Sequence, residues 1–230
     1  QVTKNEEHKK IAARAFEFLS KYFYDPEFGG LFWSINVDKT PKDTKNQIYA
    51  LAFAIYGLSE YYAISKDDKA LALAINLYLK IQKHSYDPVN KGYLEAFTRD
   101  WQPIDDLRLS AKDANEKKTM NTHLHIIEAY ANLFKVWKDK ALHNDIIELL
   151  QTIEKHFINT KTGHLHLFFD ENWTEKPDVI SYGHDIEAGW LLLQCAEISE
   201  DEILIANYKK HAVQIAEVTK EGLDTDGGLC

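Results

Sequence analysis

The chain has 230 residues, of which 45% are apolar, so it can bury a sizeable core as one large domain or two small ones. Its formal net charge of -9 argues against a nucleic-acid groove or an anionic membrane surface, because both need clustered lysine and arginine. The sequence contains no run of about 18 uninterrupted apolar residues, so no membrane-spanning helix is predicted.

Seven helices are predicted from the spacing of apolar residues. In chain order they cover residues 5–22, 48–58, 66–84, 123–134, 139–157, 186–196 and 201–219. The first, third, fifth and seventh carry a single apolar stripe, which is typical of outer helices. The second, fourth and sixth are apolar nearly all round, as expected of inner helices with neighbours on every side. Outer and inner helices therefore alternate along the chain.

Four glycines that follow Asp or Asn turns indicate an internal repeat. They are Gly30, Gly92, Gly163 and Gly227, and they recur at intervals of about 60 to 70 residues. Each glycine follows a predicted outer helix, and a short aromatic, strand-like piece follows each of the first three. This period is typical of stacked helical hairpins that bury their faces against one another.

Two layers of alternating helices predict an all-α fold, the α/α toroid, whose complete (α/α)6 barrel contains six hairpins; an open superhelical solenoid is the alternative. About seven helices make an incomplete portion of such a ring. We predict one toroid domain over residues 1–230. We also expect N- and C-terminal segments to be missing from it, because the chain begins with Gln1 and stops within a turn-like stretch.

Polar side chains occur near the N-terminal ends of the inner helices, where loops of one face are expected to converge. His125 and Glu128 are spaced i, i+3, as are His184 and Glu187, within two copies of the pattern "HxxEA". At this spacing a carboxylate can hold an imidazole in one tautomer. A single histidine on an apolar helix is more often a core residue, whereas a matched pair favours acid–base chemistry.

Three other interpretations remain open at this point. The "HLH" of residues 164–166 could chelate a metal, but zinc needs three or four convergent ligands, and no metal site is predicted. An inverting glycosidase would need paired carboxylates, for which Asp105, Asp106, Asp185 and Glu187 are available. A helical-repeat scaffold without activity would explain the repeat but not the polar helix starts.

Tryptophan provides a further pattern, since indole rings form flat platforms for sugar rings. Trp101, Trp173 and Trp190 are candidates, although tryptophans at helical or strand spacing are more often core residues.

Three segments resemble the signature blocks of the N-acylglucosamine 2-epimerase superfamily, most closely its cellobiose 2-epimerase branch. They are "KNQIYALAFAIYGLSEYY" (45–62), "KTMNTHLHIIEAY" (118–130) and "SYGHDIEAGWLL" (181–192). The similarity runs through essentially all 230 residues, and the pair "NTHLH" and "GHDIEA" at this separation is its most specific part.

The resemblance implies an (α/α)6 barrel and an isomerase that epimerises C2 of a reducing-end sugar without a cofactor, as in the conversion of cellobiose to glucosyl-mannose. His184 matches one of two acid/base histidines, Glu187 matches a residue that orients the base, and His125 matches a pocket histidine that stabilises the intermediate. Tyr49 and Asn121 match groups that hydrogen-bond the sugar. Trp190 is also predicted to bind substrate.

The chemistry requires these residue types independently. Removing the proton next to an aldehyde produces an enediolate, and returning it to the other face inverts C2. A group with a pKa near 7 on each face serves this purpose, and histidine is suited to it. Hydroxyl, amide or imidazole donors stabilise the developing oxyanion, so neither a metal nor a nicotinamide is needed.

The resemblance leaves several features open. N-acylglucosamine and mannose 2-epimerases or isomerases share this architecture, so the sugar substrate is not determined. The second acid/base histidine, a pair of tryptophans and an N-terminal arginine belong to segments outside this chain, so the chain alone is expected to be inactive or nearly so. With only Cys195 and Cys230 present, the predicted location is cytoplasmic. The expected state is a monomer or a weak homodimer.

Overall fold

The protein is seen in a computed structural model that describes residues 5–176 and 179–229. All seven predicted helices are present in these residues, which confirms an all-α fold. Their bounds are α1 Glu6–Phe18, α2 Ile48–Ser65, α3 Asp68–His84, α4 Met120–Val136, α5 Lys140–His156, α6 Tyr182–Ser199 and α7 Glu202–Thr219. A π-helical turn, Leu19–Phe23, continues α1, and a 3-10 turn, Lys220–Gly222, follows α7.

Two of the inner helices begin earlier than the apolar periodicity predicted. Helix α4 starts at Met120 rather than at residue 123, and α6 starts at Tyr182 rather than at residue 186. Polar residues in a first turn add nothing to an apolar repeat, which is why the prediction omitted them. As a result Asn121 and His184 both lie within the first turn of a helix.

Short strands fix the backbone just before two inner helices. In the described residues β1 (Ser34–Ile35) pairs with β2 (Pro41–Asp43), β3 (Asn46–Gln47) with β4 (Ala96–Phe97), and β5 (Lys118–Thr119) with β6 (Phe168–Phe169), all antiparallel. Strand β3 continues directly into α2, and β5 continues directly into α4. These ladders therefore set where each of those helices begins.

The chain forms two compact units. The first comprises the residues up to Tyr86 together with Glu95–Asn115, and the second comprises Asp87–Leu94 and the residues from Glu116 onward. In the first unit α2 packs along α3 and contacts α1. In the second unit α4 packs against α5 and α6, and α6 packs along α7. The assignment of a single domain stays a prediction.

Burial distinguishes the three inner helices from one another. Helix α4 is buried along most of its length, as predicted. Helices α2 and α6 are apolar nearly all round, yet each leaves one face exposed, at Phe53 and at Trp190 respectively. Within the described residues α4 therefore has neighbours on every side, whereas neighbours for the exposed faces of α2 and α6 stay a prediction.

The predicted repeat is present in three of its four turns, and its register differs from the spacing of the glycines; the turn at Asp224 closes four residues on instead. In three turns the side chain of Asp25, Asp87 or Asn159 accepts backbone N–H groups from the residues two and three positions further on. Each turn also closes with a backbone hydrogen bond to the residue five positions on. The Asp or Asn, rather than the glycine, is the invariant part of the repeat.

Left-handed backbone explains where the glycines fall. Gly29, Lys91 and Gly163 occupy the same place in the three turns, each with a φ near +70° to +90°. Gly163 therefore corresponds to Gly29 and not to Gly30. Gly92 is required for a second reason, because a Cβ there would lie 2.6 Å from the Trp173 ring and 2.8 Å from His123 Nε2.

Candidate active site on the inner helices

The first candidate histidine, His125, lies on α4 in the second unit and is 7% exposed. Its Nδ1 is 3.1 Å from Oε2 of Glu128, one turn later on the same helix. The predicted i, i+3 pair is therefore present on α4. Asn121 is four residues earlier, so it shares this helical face, and it is half-buried.

The second candidate histidine, His184, lies in the first turn of α6 and is half-buried. Its Nδ1 is 2.9 Å from the hydroxyl oxygen of Ser181, the N-cap residue of the helix. In the described part of the chain the hydrogen-bond partner of His184 is thus three residues before it, not Glu187 three residues after it. The role of Glu187 in orienting the base stays a prediction.

Two buried side chains attach the inner helices of the second unit to the repeated turns. On α4, Nε2 of His123 accepts the backbone N–H of Tyr93 at 2.9 Å. On α6, Oδ1 of Asp185 accepts the backbone N–H of Leu165 at 3.0 Å. In both cases the donor directly follows a turn of the repeat. His123 and Asp185 therefore occupy equivalent positions on the two helices.

This equivalence shows that the two "HxxEA" patterns are not in the same structural register. His125 follows His123 by two residues, whereas His184 precedes Asp185 by one. The residue of α6 that corresponds to His125 is Glu187. The two histidines therefore do not occupy equivalent positions in the repeat. The two patterns look alike in sequence, but the helices correspond through the residues that hold the repeated turns, His123 and Asp185.

Asp185 has a structural role that accounts for both of its carboxylate oxygens. It is 1% exposed, and Oδ2 is 2.7 Å from Nδ1 of His164 while Oδ1 accepts from Leu165. The second His164 nitrogen is 3.5 Å from Glu221, in the 3-10 turn that follows α7. Asp185 therefore anchors the first turn of α6 and is not placed as a hydrolytic carboxylate.

Two further acidic candidates for bond cleavage, Asp105 and Asp106, lie in the first unit and are exposed, whereas Glu187 lies on α6 in the second unit and is half-buried. Asp106 forms an ion pair with Arg108 at 2.8 Å. This hydrogen bond to the guanidinium is the main reason that the pKa of Asp106 falls to about 2. Such a carboxyl stays ionised and cannot act as a general acid near neutral pH.

The two histidines of the "HLH" segment bind separate carboxylates. His164 contacts Asp185, and Nδ1 of His166 is 2.7 Å from Glu175. Among residues 5–176 and 179–229, no three or more His, Cys, Asp or Glu side chains converge in a way that could hold a metal ion.

Trp101 and Trp173 are structural and repeat each other. Each indole N–H donates to a backbone carbonyl, and each ring stacks on the histidine that ends an outer helix. Trp101 lies 4.4 Å from His84, and Trp173 lies 4.1 Å from His156, measured between ring centroids. Trp190 differs from both, because it is 56% exposed on α6, and its role in binding substrate stays a prediction.

Tyr49 lies on α2, in the first unit, so the histidines and Tyr49 belong to different units. Its ring is 4.8 Å from that of Phe53. Both residues line an open, largely apolar cavity of about 910 Å³ that also includes Arg14 and Trp33. Hydrogen bonding of Tyr49 to a sugar stays a prediction.

His123 is excluded as an acid–base residue by its surroundings. Nδ1 is 2.7 Å from the Thr119 carbonyl oxygen and Nε2 accepts from Tyr93, so both nitrogens are used by the neutral ring. Burial lowers its pKa from 6.5 to about 3. Of the two histidines two residues apart on α4, His125 is therefore the remaining candidate for acid–base chemistry.

This pKa shift predicts an acid-dependent loss of stability. The unfolded chain protonates His123 near pH 6.5 and the folded chain only near pH 3, so unfolding takes up a proton in between. The free energy of unfolding should therefore fall by up to about 1.4 kcal/mol per pH unit as the pH drops below 6.5. In His123→Gln, whose amide oxygen can still accept from Tyr93, this part of the slope should vanish.

Urea unfolding of both proteins at several pH values between 5 and 6.5 measures the difference. This pH range lies above the pKa values of ordinary Asp and Glu side chains, so these groups contribute little to the slope. Equal slopes for the two proteins would show that His123 does not titrate as its burial requires.

None of the helices in the described residues combines the length and the apolar character of a membrane span.

The whole chain is similar to one known protein family. The family described as N-acylglucosamine 2-epimerase (GlcNAc 2-epimerase) matches residues 1–230. A cellobiose 2-epimerase from Bacteroides fragilis is 50% identical over 224 residues, which cover 97% of this chain and 57% of that protein. The chain thus spans a little over half the length of such relatives.

Solved structures agree with the sequence match. The structure of cellobiose 2-epimerase from Bacillus thermoamylovorans B4167 superimposes with a TM-score of 0.92 at 33% identity, covering 98% of this chain and 58% of that one. A family 76 glycoside hydrolase from a Bacteroides thetaiotaomicron strain has a TM-score of 0.69 at 13% identity, covering 96% of this chain and 44% of that one. The latter likeness shows the α/α toroid fold alone.

Proposed function

The chain belongs to the N-acylglucosamine 2-epimerase family, and from this premise we propose that its protein epimerises C2 of the reducing-end sugar of a disaccharide. Cellobiose is the proposed substrate and glucosyl-mannose the product. The observation that carries the proposal is the 50% identity to a cellobiose 2-epimerase over 97% of this chain, which includes the helices that bear both candidate histidines.

The proposed mechanism starts from the open-chain aldehyde. His184 removes or returns the proton on C2, since imidazole is the side chain suited to both roles near neutral pH. The amide of Asn121 donates to the enediolate oxygens, and His125, whose Nδ1 is held by Glu128, does so when its Nε2 also carries a proton. Reprotonation requires a second acid on the opposite face of the sugar.

The remaining predicted residues bind substrate in this proposal. Glu187 lies one turn after His184 and orients the base or a sugar hydroxyl. Trp190, one further turn along α6, offers an exposed indole face on which a sugar ring can stack. Tyr49 donates a hydroxyl hydrogen bond.

Proton NMR of the natural full-length protein with cellobiose in D2O tests the proposal. The C2 proton signal of the reducing-end glucose should disappear as deuterium replaces it, and mannose-type signals should grow while the glycosidic bond stays intact. Parallel samples with mannose and with N-acetylglucosamine distinguish the other substrates of the family. Free glucose as the product would instead indicate a glycoside hydrolase.

The proposed physiological setting is the cytoplasm, and the proposed state is a monomer or a weak homodimer. The cytoplasmic location is supported by the two cysteines, of which Cys195 is buried, free and, because of burial, raised in pKa. Cell fractionation and light scattering after size-exclusion chromatography test the two statements.

A further inference from the structure

Ser181 is a capping-type residue that does not cap its helix. It has the extended backbone of an N-cap, with φ at -114° and ψ at 92°, but its side chain bonds no backbone N–H of α6. Five other helices among the described residues receive such a bond, from Asn5, Asp67, Thr119, Asp139 and Asp201. Serine is among the preferred N-cap residues because of that bond, so its diversion here indicates another use.

The hydroxyl of Ser181 is instead directed to the candidate base. Its oxygen is 2.9 Å from Nδ1 of His184. The backbone holds this arrangement, because the Ser181 carbonyl accepts the N–H of Asp185 at 2.9 Å, and Asp185 is itself tied to His164. The serine and the histidine are therefore parts of one anchored turn.

The chemical nature of this partner matters for proton transfer. A carboxylate accepts hydrogen bonds only, so it fixes a neutral imidazole with the proton on the nitrogen it contacts. Glu128 does this for His125. A hydroxyl both donates and accepts, so Ser181 can donate to Nδ1 when Nε2 carries the proton, and accept from Nδ1 when Nε2 is free.

We propose that Ser181 is a positioning residue that keeps His184 able to remove and to return a proton. This inference rests on the proposed function, in which the same imidazole is a base for one epimer and an acid for the other. When Nε2 takes the C2 proton the ring becomes an imidazolium, and it becomes neutral again when Nε2 gives a proton back; in both states Nδ1–H can donate to the Ser181 oxygen, which holds the ring in place.

The test compares Ser181→Ala with Thr119→Ala in the natural full-length protein, using C2 deuterium exchange with cellobiose. Ser181→Ala should lower kcat by about 10- to 100-fold with KM within about twofold, because the ring loses its orientation but not the pocket. Its Tm should stay unchanged, since no capping bond is lost. Ser181→Thr, which keeps the hydroxyl, should restore most of kcat.

Thr119→Ala is the matched control, because Thr119 is the N-cap of α4 and does accept a backbone N–H. It should lower Tm by about 2–4 °C and leave kcat near the wild-type value. Ser181→Asp is the second serine variant: aspartate caps helices by accepting backbone N–H groups, as Asp139 and Asp201 do, so it secures folding but is diverted from Nδ1 of His184, and kcat should fall.

The outcomes separate this inference from the proposed function. Exchange by the wild type with undiminished kcat in Ser181→Ala or Ser181→Asp would overturn the positioning role alone. The positioning role would also be overturned if Ser181→Ala and Thr119→Ala both lost Tm and kcat to the same extent. Loss of a helix cap would then be enough to explain the lower kcat of Ser181→Ala. A wild type that exchanges no deuterium would overturn the proposed function and the inference with it.

Discussion

Replacing His184 by asparagine should reduce deuterium incorporation at C2 of cellobiose by about 10²- to 10⁴-fold, the range that one acid–base residue contributes. Asparagine preserves a polar group of similar reach but has no titrating nitrogen near pH 7. The half-buried ring lies in the anchored first turn of α6, so the loss should be one of chemistry rather than of folding. Exchange measured by NMR in the natural full-length protein checks this.

His8→Asn is the matched control, because His8 is an exposed residue of α1 and the substitution is the same. Its exchange rate should equal that of the wild type. Continued exchange in His184→Asn would remove the assigned role of His184. If the protein were a glycoside hydrolase, cellobiose would be cleaved into smaller sugars, and replacing Glu187 would stop that cleavage.

Replacing Lys118 by methionine should destabilise the second unit by about 3–5 kcal/mol, the usual effect of breaking a buried ion pair. The Lys118 side chain is fully buried, with its ammonium 2.9 Å from Asp87 Oδ2. It also donates to the carbonyls of Lys91 and Glu171, at 2.7 and 2.9 Å. Methionine fills the space but leaves the Asp87 carboxylate and both carbonyls without this donor.

Two pKa shifts describe the same pair. Burial is the largest influence on Lys118, and it lowers the pKa of the ammonium despite the nearby Asp87. Burial acts to raise the pKa of Asp87, but hydrogen bonds from Asn90 and Lys118 outweigh it and the pKa lies below its usual value. Removing the ammonium removes part of what keeps that carboxylate ionised.

Guanidinium unfolding measures the loss, with Lys117→Met as the control. Lys117 is the exposed neighbour in sequence, and its replacement should change the free energy of unfolding by less than about 0.5 kcal/mol. A Lys118→Met protein within 1 kcal/mol of the wild type would show that the buried pair does not hold the turns together.

The candidate site was only partly predictable from sequence. The pair His125 and Glu128 follows from helical spacing, because one helix fixes both positions. For His184 the sequence predicts Glu187 at i+3, whereas the structure shows a hydrogen bond to Ser181 at i−3. Both positions are equally near on a helix, and the sequence does not indicate which side chain turns inward. Ser181 begins the segment "SYGHDIEAGWLL" and lies three residues before His184, so its i−3 spacing could have identified it as a second possible partner.

Lys118 and Asp185 illustrate a different limit. Both are charged residues with almost no exposure, and sequence patterns place such residues on surfaces or in active sites. Their partners lie 20 to 53 residues away in sequence, in turns that pair with the helix starts only after folding. No local pattern encodes contacts of this kind.

The sequence by itself determined the all-α architecture, the alternation of helices and the repeated Asp or Asn turns, because periodicity and turn chemistry are local properties of the chain. Only the tertiary structure decided that Asp185 is an anchor and that His184 is held by a serine. These depend on which side chains meet across distant segments, and packing, rather than local spacing, selects among the partners that each polar group could have.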